Sequence, residues 1–147
     1  MSRWYQGKFK PKNPQKYMGD PTNIIYRSSW ELRVLKWLDE NDSVISYASE
    51  ELHIDYFSPI DRKWHKYFPD FFVRTKTKTG EIKSTVIEIK PKIQTMPPAV
   101  PKRKSKYYGE SVKTWIINQS KWAAAEEFCK DRKLDFKILT EEDLGII

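Results

Sequence analysis

Hydrophobic and polar positions first fall into a repeating pattern at "SSWELRVLKWLDEN", Ser28 to Asn41. Trp30, Val34, Trp37 and Leu38 recur at the three- and four-residue spacing of a helical stripe. Ser28 followed three residues later by Glu31 is the signature of a capping box, so the spacing predicts a helix that starts here. At about 100° per residue, Leu38 falls ~20° from Glu31 and Leu35 ~40° away on its other side. Glu31 therefore lies at the edge of the apolar stripe, serving either as a cap alone or as an inward-facing carboxylate.

Beyond this helix the period changes to two. "ELHIDYF" (51–57) alternates through Leu52, Ile54 and Tyr56 and reads as a strand. A turn with Pro59 and Asp61 leads to a second strand, "WHKYFPDFFVR" (64–74), and Gly80 bends the chain into a third at 82–90. Such close spacing predicts an antiparallel meander. Pro69 has no N–H for a ladder, so it implies an edge position or a bulge, and bulges re-aim the residues beside them. Further on, "VKTWIIN" (112–118) reads as a strand, Ser120–Lys133 as a helix with Trp122, Ala125, Phe128 and Cys129 on its apolar face, and "LDFKIL" (134–139) as a final strand before a short helix capped by Thr140. Strand, helix, strand in that order predicts a right-handed parallel crossover.

Residues 1–25 follow neither period. Pro11, Pro14 and Pro21 argue against a helix, and lysines alternate with Trp4, Tyr5, Phe9 and Tyr17. The expected organisation is a basic extended arm over residues 1–21 and one α/β domain over 22–147. Basic residues interleaved with aromatics suit contact with a nucleic-acid backbone, while the same aromatics would equally pin the arm to its own domain.

Composition narrows the classes. With 147 residues, 39% hydrophobic and 32% charged, the chain suits one globular domain with a real core. No apolar run approaches the roughly 18 to 20 residues of a membrane span, and "MSRWYQGKFKPK" lacks a signal peptide's apolar centre. The expectation is an intracellular protein with no membrane partner. A single cysteine, Cys129, excludes an internal disulfide and a thiolate metal cluster; on the apolar face of its helix it reads as core. The balance of 27 basic against 20 acidic residues, net +7, favours a polyanion, most commonly nucleic acid. Basic residues gather in the first 16 positions, at 74–78 ("RTKTK") and at 102–106 ("KRKSK", with Lys102, Arg103 and Lys104).

Chemistry enters with "VIEIKPK", Val86 to Lys92. On a strand Glu88 and Lys90 share one face while Ile87 and Ile89 take the other. Asp70 lies on the neighbouring strand of the expected hairpin, so the two carboxylates converge if the strands pair near their middle. Neighbouring buried carboxylates repel, and one protonates unless a cation holds them. Hard oxygen ligands of this kind suit Mg²⁺, with Mn²⁺ as a substitute. A cation so held polarises a phosphoryl oxygen and acidifies water, and Lys90 on the same face would offset the charge that builds on a phosphate. Taken singly, a Glu-x-Lys on a strand is an ordinary exposed pair and a Pro-Asp an ordinary turn. Their order within apolar strands, after a helix with its own inward acid, is more specific.

"PD" at Pro69–Asp70 with "EIK" at Glu88–Lys90 resembles the PD-(D/E)XK nuclease signature, Ile89 standing at the variable position. That resemblance implies an α/β core with a mixed central sheet flanked by helices, Mg²⁺ dependence, Asp70 and Glu88 as metal ligands, Lys90 as the catalytic lysine, and Glu31 as the acid many members supply from the first core helix. A narrower likeness spans "GDPTNIIYRSSWE" (19–31), "EIKPK" (88–92), "WIINQSKWAAAEEF" (115–128) and "FKILTEEDL" (136–144), which are similar to the head completion nucleases of large tailed phages. It implies cutting or trimming of packaged double-stranded DNA before head and tail join. Capsid or portal vertex proteins would be the partners, in the infected cell's cytoplasm or within the virion head. Junction-resolving and transposon-end nucleases share the same residues, and a structural completion factor with no turnover is the rival outside enzymes.

Lesser candidates flank this set. Arg27 would hold a phosphate through two parallel donors or stand as an ordinary surface arginine. Lys92 follows Lys90 at strand spacing, with Pro91 between them. Asn118 and Lys121 stand at the expected start of the late helix, where anions are favoured and where polar residues also serve as simple caps. His53 and His65 read as ordinary strand residues.

Overall fold

The computed structural model describes residues 6–145, so Trp4 and Tyr5 of the expected arm lie outside the described residues. Two short strands, β1 (Gly7–Phe9) and β2 (Ile24–Tyr26), pair antiparallel ahead of the first helix, α1 (Ser29–Glu40). Then come β3 (Val44–Ser49), a hairpin of β4 (Ile54–Ser58) and β5 (Lys63–Tyr67), β6 (Phe71–Lys76), β7 (Ile82–Ile89), a long helix α2 (Lys106–Asp131) and β8 (Asp135–Leu139). The central sheet has the order β3-β6-β7-β8. Its first three strands are antiparallel and β7 runs parallel to β8. This is the mixed α/β sheet that the motif implies.

Alternation divides the sheet into two faces. Phe71, Val73, Ile87 and Ile89 point to one side and pack with Val34, Leu35 and Leu38 of α1. On the other side α2 and the β4–β5 hairpin close over the sheet: Ile54, Tyr56 and Tyr67 meet Trp122 and Ala125, with Phe136 and Ile138 of β8 against them. The result is a three-layer domain in which the sheet buries both faces and each outer layer buries one. Glu88 shares the α2 face, so an acid stands where the pattern elsewhere puts apolar residues.

The Ser28 half of the capping box at the start of α1 forms, while the Glu31 carboxylate takes the N–H one residue upstream of the N-cap. Ser28 Oγ accepts the Glu31 N–H at 3.1 Å, and the Glu31 carboxylate reaches back to the N–H of Arg27 at 3.0 Å. At the other end Lys16 Nζ donates to the carbonyls of Leu38, Asp39 and Asn41 at 2.8–2.9 Å. Those oxygens have no partners within the helix, and a cation there also suits the negative end of the helix dipole. Phe9 and Tyr17, from the segment expected as an arm, are buried in the core on the α1 side.

Several expected elements come out differently. The strand expected at 64–74 is two strands of two sheets: β5 ends at Tyr67 and β6 begins at Phe71. Pro69, buried and unable to donate to a ladder, stands at the break rather than in a bulge. The meander is therefore a separate β4–β5 hairpin followed by the β6–β7 pair. Strand β3, "VISYAS", lacks clean alternation and was not expected; it is the antiparallel partner of β6. The segment 112–118 is helix, not strand, and α2 starts at Lys106 rather than Ser120. Residues 115, 118, 122, 125 and 129 form one stripe at spacings of three and four, and buried Asn118 interrupts its apolar character. The parallel crossover thus runs from β7 through α2 to β8. Past β8, residues 141–145 form a turn in place of the short helix, with the Thr140 N–H bonded to Asp143 Oδ2 at 2.8 Å.

Candidate active site

The register of β6 and β7 aligns Phe71 with Ile87, so Asp70, one residue before, falls beside Glu88 on the opposite face from that pair. Asp70 Oδ2 accepts the Ile89 N–H at 2.7 Å, which locks its carboxylate against β7. Burial first and the adjacent Glu88 second raise the Asp70 carboxyl, opposed by the Ile89 N–H and the Lys90 charge, and together push it up to about 8. Glu88 is itself buried and accepts the hydroxyl of Tyr67. Burial, then the Glu88 charge, raises the Tyr67 phenol far above its ordinary range, so it acts as a donor only.

Glu31 arrives from the other layer. It is buried, and its carboxyl is raised by that burial first, against the lowering effect of the Arg27 N–H, with Asp70 adding to the rise. Lys90 follows β7 directly, half-buried, with its N–H bonded to the Leu139 carbonyl at 3.0 Å. Lys121 joins from α2: its ammonium lies 5.9 Å from the centre of the Tyr56 ring and 5.7 Å from that of Tyr67. Burial lowers the Lys121 ammonium and the charge of Lys90 lowers it further, while Glu88 opposes both. One end of the sheet thus gathers Glu31, Asp70 and Glu88 with Lys90 and Lys121.

The outer candidates divide. Arg27 joins the group, its guanidinium ion-paired to Glu50. Lys92 turns away, its ammonium 2.7 Å from Glu142 and its N–H 2.8 Å from Glu141. Lys102, Arg103 and Lys104 are exposed in the loop ahead of α2. His65 pairs with Asp61 at 2.7 Å and His53 leans on Phe68, both roles of ordinary hairpin residues. Two residues escaped the sequence reading, Tyr67 and Glu50. Nothing in a strand pattern marks a tyrosine as a carboxylate's donor, and Glu50 sits between elements with no motif around it.

Asp70 and Glu88 are two hard oxygen donors that repel without a proton or a cation between them, which suits Mg²⁺ or Mn²⁺ chemically. Among the described residues no three His, Cys, Asp or Glu side chains gather closely enough to form a ready-made cage. A site for Mg²⁺ does not require one, because that ion commonly keeps several waters and takes one or two carboxylates.

Residues 41–141, which carry Asp70, Glu88, Lys90 and Lys121, match the model of the family described as "TnsA-like endonuclease N terminal". The chain belongs to the TnsA-like endonuclease family. It is also 40% identical over 144 residues to the head completion nuclease of Enterobacteria phage T4, an alignment covering 95% of this chain and 93% of that protein. Its restriction-endonuclease-like fold and its nuclease character follow from these relationships. The TnsA-like match starts after α1, so Arg27 and Glu31 lie outside it; the structure brings them to the acids through the packing of α1 on the sheet.

Proposed function

We propose that this protein is a Mg²⁺-dependent DNA endonuclease acting at phage head completion, cutting or trimming packaged DNA before head and tail join. The observation that carries this reading is the convergence of Asp70, Glu88 and Lys90 at one sheet end in a chain related over nearly its whole length to a head completion nuclease. Asp70 and Glu88 would hold the ion, with Mn²⁺ as a substitute, and Glu31 would support it or a second one. The ion would supply a polarised phosphoryl oxygen and a more acidic water.

The chain's own groups would do the rest. Tyr67 donates to one Glu88 oxygen and holds that carboxylate beside Asp70. Lys90 sets a positive charge beside the carboxylates, where it would stabilise charge on the phosphate and orient the attacking water. Lys121 adds a second ammonium on the α2 side. Arg27, Lys102, Arg103 and Lys104 would contact double-stranded DNA through its phosphates, giving affinity that falls with salt and depends little on sequence, whereas Lys92 is already engaged by Glu142. Capsid or portal vertex proteins would deliver the enzyme to its DNA, in the infected cell's cytoplasm or the virion head. Among the described residues no helix is long and apolar enough to cross a membrane.

The decisive experiment incubates supercoiled, linear and branched DNA with wild type, Asp70→Ala and Lys90→Ala in Mg²⁺, Mn²⁺ or EDTA. Metal-dependent cutting of circles that Asp70→Ala abolishes and Lys90→Ala lowers by about 10²–10³ supports the reading. Strong preference for branched DNA would move it to a junction-resolving enzyme, and folded wild type that binds DNA without cutting would favour a structural completion factor.

A further inference from the structure

Beside the carboxylates lies an arrangement that the nuclease motif does not contain. Three non-glycine residues in the described chain have left-handed backbone: Glu50 at φ 56°, Arg62 at 58° and Lys133 at 57°. Arg62 closes the β4–β5 turn and Lys133 follows the end of α2, places where such backbone is routine. Glu50 does neither. It follows β3 and takes a conformation that costs a non-glycine residue about 1 kcal/mol or more. Its N–H bonds to the Asp70 carbonyl at 3.2 Å, and its carboxylate pairs with the Arg27 guanidinium. The Arg27 N–H is in turn bonded to Glu31. A chain of contacts thus joins Glu31, Arg27, Glu50 and the backbone of Asp70.

The ion pair is half-exposed on the arginine side, and pairs of that kind add little stability, about 0–1 kcal/mol. Stability therefore does not account for a strained backbone at this position. What the contact achieves is orientation. One nitrogen of Arg27, Nη1, is engaged by Glu50, and a guanidinium carries five donors in a planar fork. Among the described residues nothing else bonds this guanidinium, so its remaining edge can meet an anion, and a fork held in place loses less freedom on binding one.

We propose that Glu50 is a positioning residue that holds the Arg27 fork ready for a DNA phosphate next to the one being cut. The proposal rests on the nuclease reading for the place of the scissile phosphate. It does not depend on turnover for its test.

Direction separates this role from a bulk charge effect. Removing an acid near bound DNA ordinarily tightens binding, because the polyanion is repelled less. If Glu50 positions Arg27, removing it weakens binding instead. Glu50→Gly deletes the carboxylate and accepts left-handed backbone without strain, so the variant keeps its fold, which thermal melting verifies. DNA affinity is measured by fluorescence anisotropy in EDTA for wild type, Glu50→Gly, Arg27→Gln and the double variant, with duplex DNA as the probe. Glu50→Gly is expected to weaken binding about fivefold in the wild-type background, the top of the range for an exposed pair, and to change it less than twofold once Arg27 is absent. Unchanged or tighter binding by Glu50→Gly, or an equal loss in both backgrounds, overturns the proposal. Coupling in EDTA alongside wild type that never cuts DNA would uphold the phosphate fork while removing the nuclease reading, so the two failures are distinguishable.

Discussion

Asp70 Oδ2 accepts the backbone N–H of Ile89 at 2.7 Å, which fixes its carboxylate beside Glu88 on the neighbouring strand. The strand that carries one acid thereby orients the other, and the closeness of the two has a consequence for stability.

Burial and then Glu88 push the Asp70 carboxyl up to about 8 from an ordinary 3.8. Between those values the folded chain binds more protons here than the unfolded chain, so stability falls as pH rises through that window. In EDTA the Tm should drop between pH 5 and pH 8 by about 5 °C or more, beyond the trend of an Asp70→Asn variant, which carries no titrating group there. Mg²⁺ should recover most of that loss at pH 8 and little at pH 5, where a proton already separates the acids. Melting curves at several pH values, with and without Mg²⁺, check the sign; a Tm that rises with pH in wild type relative to Asp70→Asn would contradict it.

Tyr67 donates to Glu88 from the β5 strand, outside the sheet that bears the acids. Tyr67→Phe keeps the ring against Trp122 and Ala125 but leaves a buried carboxylate short of a donor. Partners that orient a metal ligand typically contribute 10- to 100-fold in metal affinity or activity. The variant should therefore need roughly tenfold more Mg²⁺ for half-maximal cleavage and for half-maximal thermal stabilisation. Agreement between the two readouts would assign the effect to the Glu88 carboxylate; a fall in rate at unchanged Mg²⁺ requirement would count against that assignment.

How far the sequence carried this site depends on what kind of signal each part leaves. That Asp70 and Glu88 fall side by side was legible because alternation fixes side and the two motifs have a recognisable spacing, whereas Pro69, expected at an edge or in a bulge, ends one strand before the next begins. Glu31 was legible as a cap, and the structure adds that its carboxylate both caps Arg27 and feels Asp70. The helical start of α2 was hidden because β-branched and aromatic residues at 112–118 favour strands locally, while packing against the hairpin decides otherwise. Strand β3 was hidden for the converse reason: Val44, Tyr47 and Ala48 are buried while Ile45 is exposed, so no period of two appears. Its register slips between Val44 and Ser46, which breaks the alternation physically. Contacts from outside the motif, such as Tyr67 and Glu50, depend on tertiary placement and leave no local trace.

The segment before α1 is tied down through Asp39, one of the most buried side chains in the described chain at 1% exposure. Its carboxylate accepts the N–H groups of Lys12 and Asn13 at 2.8 and 3.2 Å and the Tyr47 hydroxyl at 3.2 Å. Asp39→Ala would leave those donors unpaired, a loss of about 3 kcal/mol and roughly 6–12 °C in Tm. Lys16→Met, which removes one side chain's bonds to three carbonyls, should cost about half as much. Both variants should cut DNA normally at temperatures where they remain folded, since neither residue touches the carboxylates; parallel melting and cleavage assays test that separation.

Lys102, Arg103 and Lys104 are exposed in the loop that leaves the β7 end near Lys90 and enters α2. A cation there gains nothing from the fold, so its contribution should appear only when DNA is present. Each phosphate neutralised on duplex DNA contributes about −0.9 to the slope of log affinity against log salt. Replacing all three by alanine should therefore weaken binding by a similar factor for any duplex sequence and reduce the slope by up to ~2.7, while Tm changes by no more than about 2 °C. Titrations at several salt concentrations give the slope directly. A triple variant with the wild-type slope would place the DNA path elsewhere, and the carboxylates would then have to be reached from the Arg27 side alone.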